Sequence, residues 1–508
     1  MRERKNVVAT KYGLVEGTTE GPNRLWRGIR YAAPPTGGLR YRPPQSPEPW
    51  SGVRLVDHPG HIAWQGRSID PSAGAPASED FDEDCLFINV SSPVTPSPDP
   101  QGYPVMVWIH GGGYTQGSGR ETPVGDGEAF VSRGMVVVSF NYRLGSLGFL
   151  DLSEFLGDSE RDSGAVGLLD QIFALQWVRD NIIGFGGDPN RITIYGVSAG
   201  AKSVANLLAS PLSSGLAQQA ISGSGGADHV ATRPQAARLS RRYLRELGLT
   251  EANAHKLRAI PADDLIAAQE EIASGARAIW VWRPTLGSSA LPIAPLNAIA
   301  AGSAAGVKVV AGSNGNEGVT YSLLDSSAGE QAEGVLTGLF GSDRARIIID
   351  AYRVARPDLN HDDIGIAILG DERYGIPTRR LAIAQSMNAP VWRYRYDGCP
   401  PGLPPQLAGG HGLDMFAIWN AHDFATQAPD DPQAQLCLAM ADAVSSFIIT
   451  GTPNAQPLPT WDRYEPNAET TMVLDSPPRI EFHPGAQETA AWPEETWASG
   501  TWWPIDGL

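Results

Sequence analysis

Residues 192–200 read ITIYGVSAG, and this stretch decides how the rest of the chain is interpreted. The apolar run at 192–195 is typical of a buried strand, and the SAGAKSVANLLAS segment that follows has the composition of a helix. Ser198 is therefore expected on a sharp strand-to-helix turn, where small flanking residues leave its hydroxyl exposed above a sheet. Because the chain has 57 glycines, the Gly-x-Ser-x-Gly pattern alone is weak support, and the surrounding elements carry the interpretation.

Further short apolar runs surround this stretch and predict a layered α/β architecture with a mostly parallel central sheet. They are VMVWIH at 105–110, MVVVSF at 135–140, VKVVAG at 307–312 and VWRYRY at 391–396. The segment LLDQIFALQWVRDNII has apolar residues at helical spacing and separates two of these strands. Residues 42–104 are predicted as loops and 230–275 as a helical insertion. Since no convincing linker divides the chain, residues 1–508 are expected to form one domain.

The amino-acid composition argues against some classes of binding partner. The formal charge of −17 argues against nucleic acid or an anionic membrane as a partner. Three cysteines without a Cys-x-x-Cys pair indicate neither a disulfide framework nor a zinc site, and no signal-peptide pattern is visible, so we expect a cytoplasmic protein. Motifs for nucleotide or zinc binding are missing from the sequence, and the prediction is that no cofactor and no metal are needed. The sequence does not indicate an oligomeric state.

A serine nucleophile needs donors for the oxyanion that forms when it attacks a carbonyl. The strand at 105–109 runs into the sequence HGGG at 110–113, where missing side chains let backbone N–H groups approach a substrate. We predict the amides of Gly112, Gly113 and Ala199 as the oxyanion hole. His110 is expected to order this loop and not to act as the base.

The base and the acid are expected later in the chain, since strand-to-helix nucleophiles of this kind order their triad as Ser, then Asp or Glu, then His. His411 in LAGGHGLDMF follows the strand at 391–396 and is the preferred base. His422 in IWNAHDF is the alternative, although its setting reads more like a helix. Glu317 in AGSNGNEG, at the end of the strand at 307–312, is the predicted acid.

Together these stretches resemble the type-B carboxylesterase family, which includes the carboxylesterases and cholinesterases. The matching segments are GIRYAAPPTGGLRYRPP, EDCLFINV, VWIHGGGY, NYRLGSLGFL, GLLDQIFALQWVRDNIIGFGGDPNRITIYGVSAGA, NGNEG and GGHGLDMF. The resemblance implies an α/β-hydrolase fold with helical and loop insertions around an active-site gorge, and it implies Ser198 as nucleophile, Glu317 as acid and His411 as base.

The resemblance also suggests further positions around the site. Ser224 in AISGSGG matches a serine near the catalytic histidine, with a buried helix-cap serine as the alternative. Trp280 and Trp282 in ARAIWVWRP match the acyl-pocket loop, although core packing explains either residue equally well.

Three departures from the family pattern bear on function. Cys85 matches a family half-cystine, but no cysteine precedes it. Val197 replaces the glutamate that commonly precedes the nucleophile, and the loop before Cys85 lacks the tryptophan that cholinesterases use for a quaternary ammonium group. These differences point to an intracellular, bacterial type of esterase and away from a cholinesterase.

The predicted activity is hydrolysis of neutral, small-molecule carboxylic esters with short to medium acyl chains, through an acyl-enzyme. The alternatives on the same triad are an amidase, a carbamate hydrolase or a specialised xenobiotic ester hydrolase. A non-catalytic binding module is less favoured, because nucleophile, acid and base are all present.

Overall fold

The computed structural model describes residues 6–66, 80–121, 123–273, 281–323 and 325–497. Its strands alternate with helices along most of the chain. The strands are β1 Val7–Thr10, β2 Gly13–Glu16, β3 Thr18–Glu20, β4 Asn23–Arg30, β5 Val53–Leu55, β6 Phe87–Pro93, β7 Tyr103–Ile109, β8 Val136–Phe140, β9 Gly187–Val197, β10 Gln219–Gly223, β11 Lys308–Asn314, β12 Val391–Tyr396, β13 Thr471–Leu474 and β14 Arg479–Glu481.

The α-helices pack on both faces of the strands. They are α1 Glu128–Val131, α2 Gly145–Phe149, α3 Ser153–Leu156, α4 Val166–Asn181, α5 Ala199–Ala209, α6 Arg233–Glu246, α7 Ala262–Ala273, α8 Pro295–Ala300, α9 Val319–Ser322, α10 Ala332–Phe340, α11 Ser342–Ala355, α12 His361–Gly370, α13 Ile376–Ser386, α14 Leu413–Trp419, α15 Ala421–Gln427, α16 Pro432–Thr450 and α17 Ala486–Thr489. A π-helical turn, Asp371–Gly375, joins α12 to α13.

The large sheet has the strand order β14-β13-β12-β11-β10-β9-β7-β8-β6-β4-β3. The pairs from β8 through β13 are parallel, and the pairs outside this block are antiparallel. A separate small sheet contains β1, β2 and β5. The predicted α/β class with a mostly parallel central sheet is therefore confirmed.

Alternate residues of the central strands face two different cores. In β7, Val105 and Val107 pack in the core that includes Leu175 of α4, while Met106 and Trp108 pack in the core that includes Phe447 of α16. Successive side chains of a strand point to opposite faces, so a sheet covered by helices on both sides needs apolar residues at every position. This explains why the central strands appear in the sequence as unbroken apolar runs.

The strand registers bring the functional loops to one edge of the sheet. Val197 at the end of β9 is paired with Gly223 at the end of β10, and Gly223 is paired with Gly312 in β11. Ile109 at the end of β7 is paired with Gly196. The carboxyl ends of parallel strands share an edge, where ligands bind in open α/β sheets.

The predictions for the segments at 230–275 and 42–104 had different outcomes. The insertion at 230–275 contains α6 and α7, as predicted. The prediction of loops throughout 42–104 was wrong, because β6 lies inside it and joins the large sheet between β4 and β8. The polar Ser-Ser-Pro end of β6 belongs to a strand that pairs antiparallel with both β4 and β8.

Helix α16 is the one helix in the described ranges that is long and apolar enough to cross a membrane by length and composition. Most of its apolar window is buried, and Met440 and Phe447 pack against the sheet in the same core as Trp108. These contacts are those of a helix in a protein core.

Candidate active site

Ser198 occupies the predicted sharp turn between β9 and α5. Its φ of 59° and ψ of −124° are costly for a residue with a side chain, and such strain is often found at functional sites. The flanking glycines make the turn possible: a Cβ on Gly196 would lie 2.3 Å from the carbonyl carbon of Gly200, and one on Gly200 would lie 2.0 Å from the oxygen of Ile109. The motif is therefore required by close backbone packing around Ser198.

His411 bridges Ser198 and Glu317. Its Nδ1 lies 2.7 Å from Oε2 of Glu317, and its Nε2 lies 2.9 Å from Oγ of Ser198. An ionised carboxylate only accepts hydrogen bonds, so the Nδ1–H donates to Glu317 and leaves Nε2 to accept from the serine hydroxyl. All three side chains are largely buried, with His411 the most exposed of them. His422, the alternative base, lies on the exposed side of α15.

The carboxylate of Glu317 is fixed through its second oxygen as well. Ser224 Oγ donates to Oε1 at 2.6 Å, and the backbone N–H of Asn314 donates to the same oxygen at 2.7 Å. The Asn314 side chain in turn donates to Ser224 Oγ at 3.0 Å and to Asp414 at 3.2 Å. Each oxygen of Glu317 thus has its own partners, which orient the plane of the carboxylate towards His411.

The glycine loop after β7 lies next to Ser198. A Cβ on Gly111 would be 3.4 Å from Cβ of Ser198, and the positive φ values of 89° at Gly112 and 64° at Gly113 favour glycine there. Among the hydrogen bonds between described residues, none is donated by the backbone N–H of Gly112, Gly113 or Ala199. These amides follow Gly111 or Ser198 within two residues in the chain and have no acceptor within that set.

His110 is held at the base of this loop and is completely buried. Its ring stacks on Tyr142 with centroids 4.3 Å apart, and Nδ1 lies 3.0 Å from the oxygen of Gly111. Burial lowers the pKa of His110 from its usual 6.5 to about 4. The geometry agrees with the expectation that this residue orders the loop.

Sequence reasoning missed the side chains that pack behind His411. Tyr374, in the π-helical turn, stacks on the His411 ring with centroids 4.2 Å apart and an interplanar angle of 18°. The hydroxyls of Tyr374 and Tyr321 share a hydrogen bond. Lys202 of α5 is buried beside Tyr374, with Nζ 5.1 Å from its ring centroid. No motif or periodicity marks Tyr374, and a lysine on a helix normally indicates an exposed position.

The two predicted pocket tryptophans have different outcomes. Trp280 lies outside the described residues. Trp282 is fully buried and packs edge-on against Tyr243 of α6, with centroids 5.4 Å apart. This contact supports the core-packing alternative for Trp282, and its place in a substrate pocket stays a prediction.

The described residues contain no cluster of three or more His, Cys, Asp or Glu side chains placed to hold a metal ion. All three cysteines of the chain, Cys85, Cys399 and Cys437, are free thiols. Burial raises the pKa of the Cys85 thiol, which keeps it protonated and unreactive.

The chain is similar to known proteins along most of its length. The model of the carboxylesterase family matches residues 4–492. The para-nitrobenzyl esterase of Bacillus subtilis (strain 168) is 37% identical over 95% of this chain and 97% of its own length. The fumonisin B1 esterase of Sphingopyxis macrogoltabida is 34% identical over 92% of this chain and 86% of its own. A solved PNB esterase structure superposes with a TM-score of 0.84 at 34% identity, covering 96% of this chain and 99% of that one.

Proposed function

Because the chain belongs to the carboxylesterase family, we propose that it hydrolyses carboxylic esters by two-step acyl transfer on Ser198. The observation that carries the proposal is the continuous hydrogen-bonded path from Ser198 through His411 to Glu317, with distances of 2.9 and 2.7 Å. A serine hydroxyl is a poor nucleophile at neutral pH, and this path supplies the base that it needs.

In the first step, Oγ of Ser198 attacks the ester carbonyl carbon while its proton passes to Nε2 of His411. The imidazolium that forms is stabilised by the carboxylate of Glu317, which Ser224 and Asn314 hold in place by donating to its other oxygen. His411 then gives the proton to the departing alcohol oxygen, the carbon–oxygen bond breaks, and the acyl group remains on Ser198.

The second step repeats the chemistry with water. His411 accepts a proton from a water molecule whose oxygen attacks the acyl carbon, and it returns that proton to Oγ of Ser198 as the acid leaves. In both steps the carbonyl oxygen becomes an oxyanion. The amides of Gly112, Gly113 and Ala199 are proposed to donate to it, supported by their position beside Ser198 and by the helix α5 N-terminus behind it.

The preferred substrates are proposed to be neutral esters with short to medium acyl chains. Val197 is buried in the apolar core next to the nucleophile, so this position offers no carboxylate to a cationic alcohol. The name of the Bacillus subtilis relative, para-nitrobenzyl esterase, refers to a neutral aromatic group and supports the same preference.

Two broader proposals accompany the reaction. Residues 1–508 are proposed to act as one catalytic domain, because the triad residues come from loops at one edge of a single sheet. A cytoplasmic location is proposed on the grounds that the free, buried thiol of Cys85 stands where family members form a disulfide.

The test is the Ser198→Ala variant, assayed on p-nitrophenyl esters of graded acyl length. We expect kcat/KM to fall about 10⁴-fold or more, because no other group replaces the nucleophile. Ser445→Ala is the matched control, since Ser445 is also buried and donates to the carbonyl of Ala441 in α16, far along the chain from the triad. Full activity in a folded Ser198→Ala protein contradicts the proposal.

A further inference from the structure

Lys202 is a buried amine within one helical turn of the nucleophile. Its backbone N–H donates to the oxygen of Ser198 at 3.0 Å, and its side chain is only 1% exposed. Lysine is almost never buried to this degree, because moving an ammonium group out of water is costly. An apolar side chain of the same length would fill the space in α5 without that cost, so the amine itself calls for an explanation.

The amine of Lys202 bonds to two chain segments that are remote in sequence. Nζ donates to the backbone oxygen of Gly225 at 2.9 Å and to that of Arg373 at 3.1 Å. Gly225 follows Ser224, which donates to Glu317, and Arg373 precedes Tyr374, which stacks on His411. The lysine therefore joins the helix of the nucleophile to the neighbours of the acid and of the base.

These segments also pack tightly on one another. A Cβ on Gly225 would lie 2.9 Å from Cβ of Ala201 in α5, and one on Gly226 would lie 2.2 Å from Cβ of Pro377 at the start of α13. The loop at 224–226 is thus held between α5 and the elements that follow the π-helical turn. Lys202 bonds to this loop at Gly225 and to the π-helical turn at Arg373.

We propose that Lys202 is a positioning residue for the esterase reaction. Its two hydrogen bonds to backbone oxygens keep Ser198, Glu317 and His411 in their relative positions. This inference rests on the proposed function of the triad. Lys202 does not reach the reacting atoms, and it acts through Ser224 on Glu317 and through Tyr374 on His411.

The amine of Lys202 can donate both hydrogen bonds whether it is charged or neutral. Burial lowers the pKa of Lys202 to about 7, while Asp228 and Glu372 act in the opposite direction. A neutral amine still has two N–H groups, which is the number that the carbonyls of Gly225 and Arg373 require. Loss of the third proton removes the charge and leaves both positioning bonds in place.

The test is the Lys202→Met variant, which keeps the length of the side chain and removes its donors. We expect kcat per active site to fall about 10-fold or more with KM changed by less than about twofold, since a small misplacement of catalytic groups has large effects on rate. Active sites are counted by the burst of p-nitrophenol from a p-nitrophenyl phosphonate. Lys202→Gln retains an N–H donor on a shorter chain, and we expect its kcat to fall by more than about twofold but by less than that of Lys202→Met.

Gln385→Met is the matched control. Gln385 is fully buried in α13, and its amide donates to two backbone oxygens, of Ala304 and Val307, that do not belong to the segments touching the triad. We expect its kcat per active site to match the wild type, whatever happens to its thermal stability.

Two results overturn the proposal. One is a kcat per active site within twofold of the wild type in both Lys202 variants, or in Lys202→Gln alone if the methionine variant does not fold. The other is an equal fall in kcat in Gln385→Met, which would mean that any loosened buried contact slows the reaction. A failure of the proposed function is distinct, because the wild type would then give no p-nitrophenol burst.

Discussion

Ser224 donates a 2.6 Å hydrogen bond to the Glu317 oxygen that His411 leaves unused. One carboxylate oxygen thus serves the base while the other is anchored to the loop after β10. Hydrogen bonds to charged groups contribute roughly 1.5–3 kcal/mol, so this contact holds the carboxylate of Glu317 in its orientation towards His411.

Ser224→Ala is therefore expected to lower kcat about 10-fold or more with little change in KM. Ser222→Ala is the control, because Ser222 is equally buried two residues earlier but donates to the carbonyl of Ala201. Steady-state kinetics on one p-nitrophenyl ester compare the two. Equal kcat values for both variants would remove the assigned role of Ser224.

The two candidate histidines are separated by paired alanine substitutions. His411→Ala is expected to lose about 10⁴-fold in kcat, because it removes the base and the link to Glu317. His422→Ala is expected to stay within twofold of the wild type, since His422 is exposed on α15. The reverse order, with both proteins folded by circular dichroism, would transfer the base to His422.

Glu317→Gln tests the charge of the acid separately from its shape. A neutral amide can still hold the imidazole ring but cannot stabilise the imidazolium, so kcat is expected to fall by about 10²- to 10⁴-fold. Glu160→Gln is a suitable control: Glu160 is buried and pairs with Arg42 and Arg258. If Glu317→Gln keeps wild-type kcat, the charge of Glu317 is not part of the mechanism.

His110 is expected to make the stability of the fold sensitive to acid. Its folded pKa of about 4 lies below its usual 6.5, so the unfolded chain binds a proton first as the pH falls. The wild type is expected to lose about 2–3 kcal/mol of unfolding free energy through this residue between pH 6.5 and pH 4. Urea unfolding at pH 7.5 and 4.5, for wild type and His110→Gln, isolates the effect as a smaller loss in the variant. Identical losses would show that His110 does not titrate in this way.

Substrate charge gives an independent prediction. A cationic alcohol group gains about 1–2 kcal/mol from a desolvated aromatic face or from a nearby carboxylate. Here the residue preceding the nucleophile is the apolar Val197, and the loop before Cys85 lacks the tryptophan that cholinesterases use. We expect kcat/KM to be about 10-fold higher for ethyl butyrate than for butyrylcholine at physiological ionic strength. A preference for butyrylcholine would mean that another aromatic side chain binds the cation.

Much of the site could be predicted because it follows local rules. Ser198, Gly112 and Gly113 have positive φ values that few residues other than glycine adopt, and the strands before them are marked by continuous apolar runs. Glu317 and His411 follow from the order of strands, since each lies in a loop at the same edge of the sheet. For such residues, local sequence and topology are sufficient.

The support behind the triad could not be predicted in the same way. The stack of Tyr374 on His411 joins residues from a π-helical turn and a distant loop, and the carbonyls that bind Lys202 carry no side-chain signature. These contacts depend on how the π-helical turn and the loop after β10 approach the first turn of α5, which no local pattern encodes. β6 was missed for a different reason, since its polar Ser-Ser-Pro end resembles the loops around it.

The most direct test of the proposed mechanism is to label the nucleophile with a covalent analogue of the acyl-enzyme and to locate the label in the chain. The wild type is treated with a p-nitrophenyl phosphonate, the intact mass is measured, and the modified peptide is sequenced by tandem mass spectrometry. The proposed mechanism predicts one adduct per chain on Ser198, loss of esterase activity in proportion to labelling, and no adduct in Ser198→Ala. An adduct on any other residue that abolishes activity, or full activity in a completely labelled protein, would contradict it.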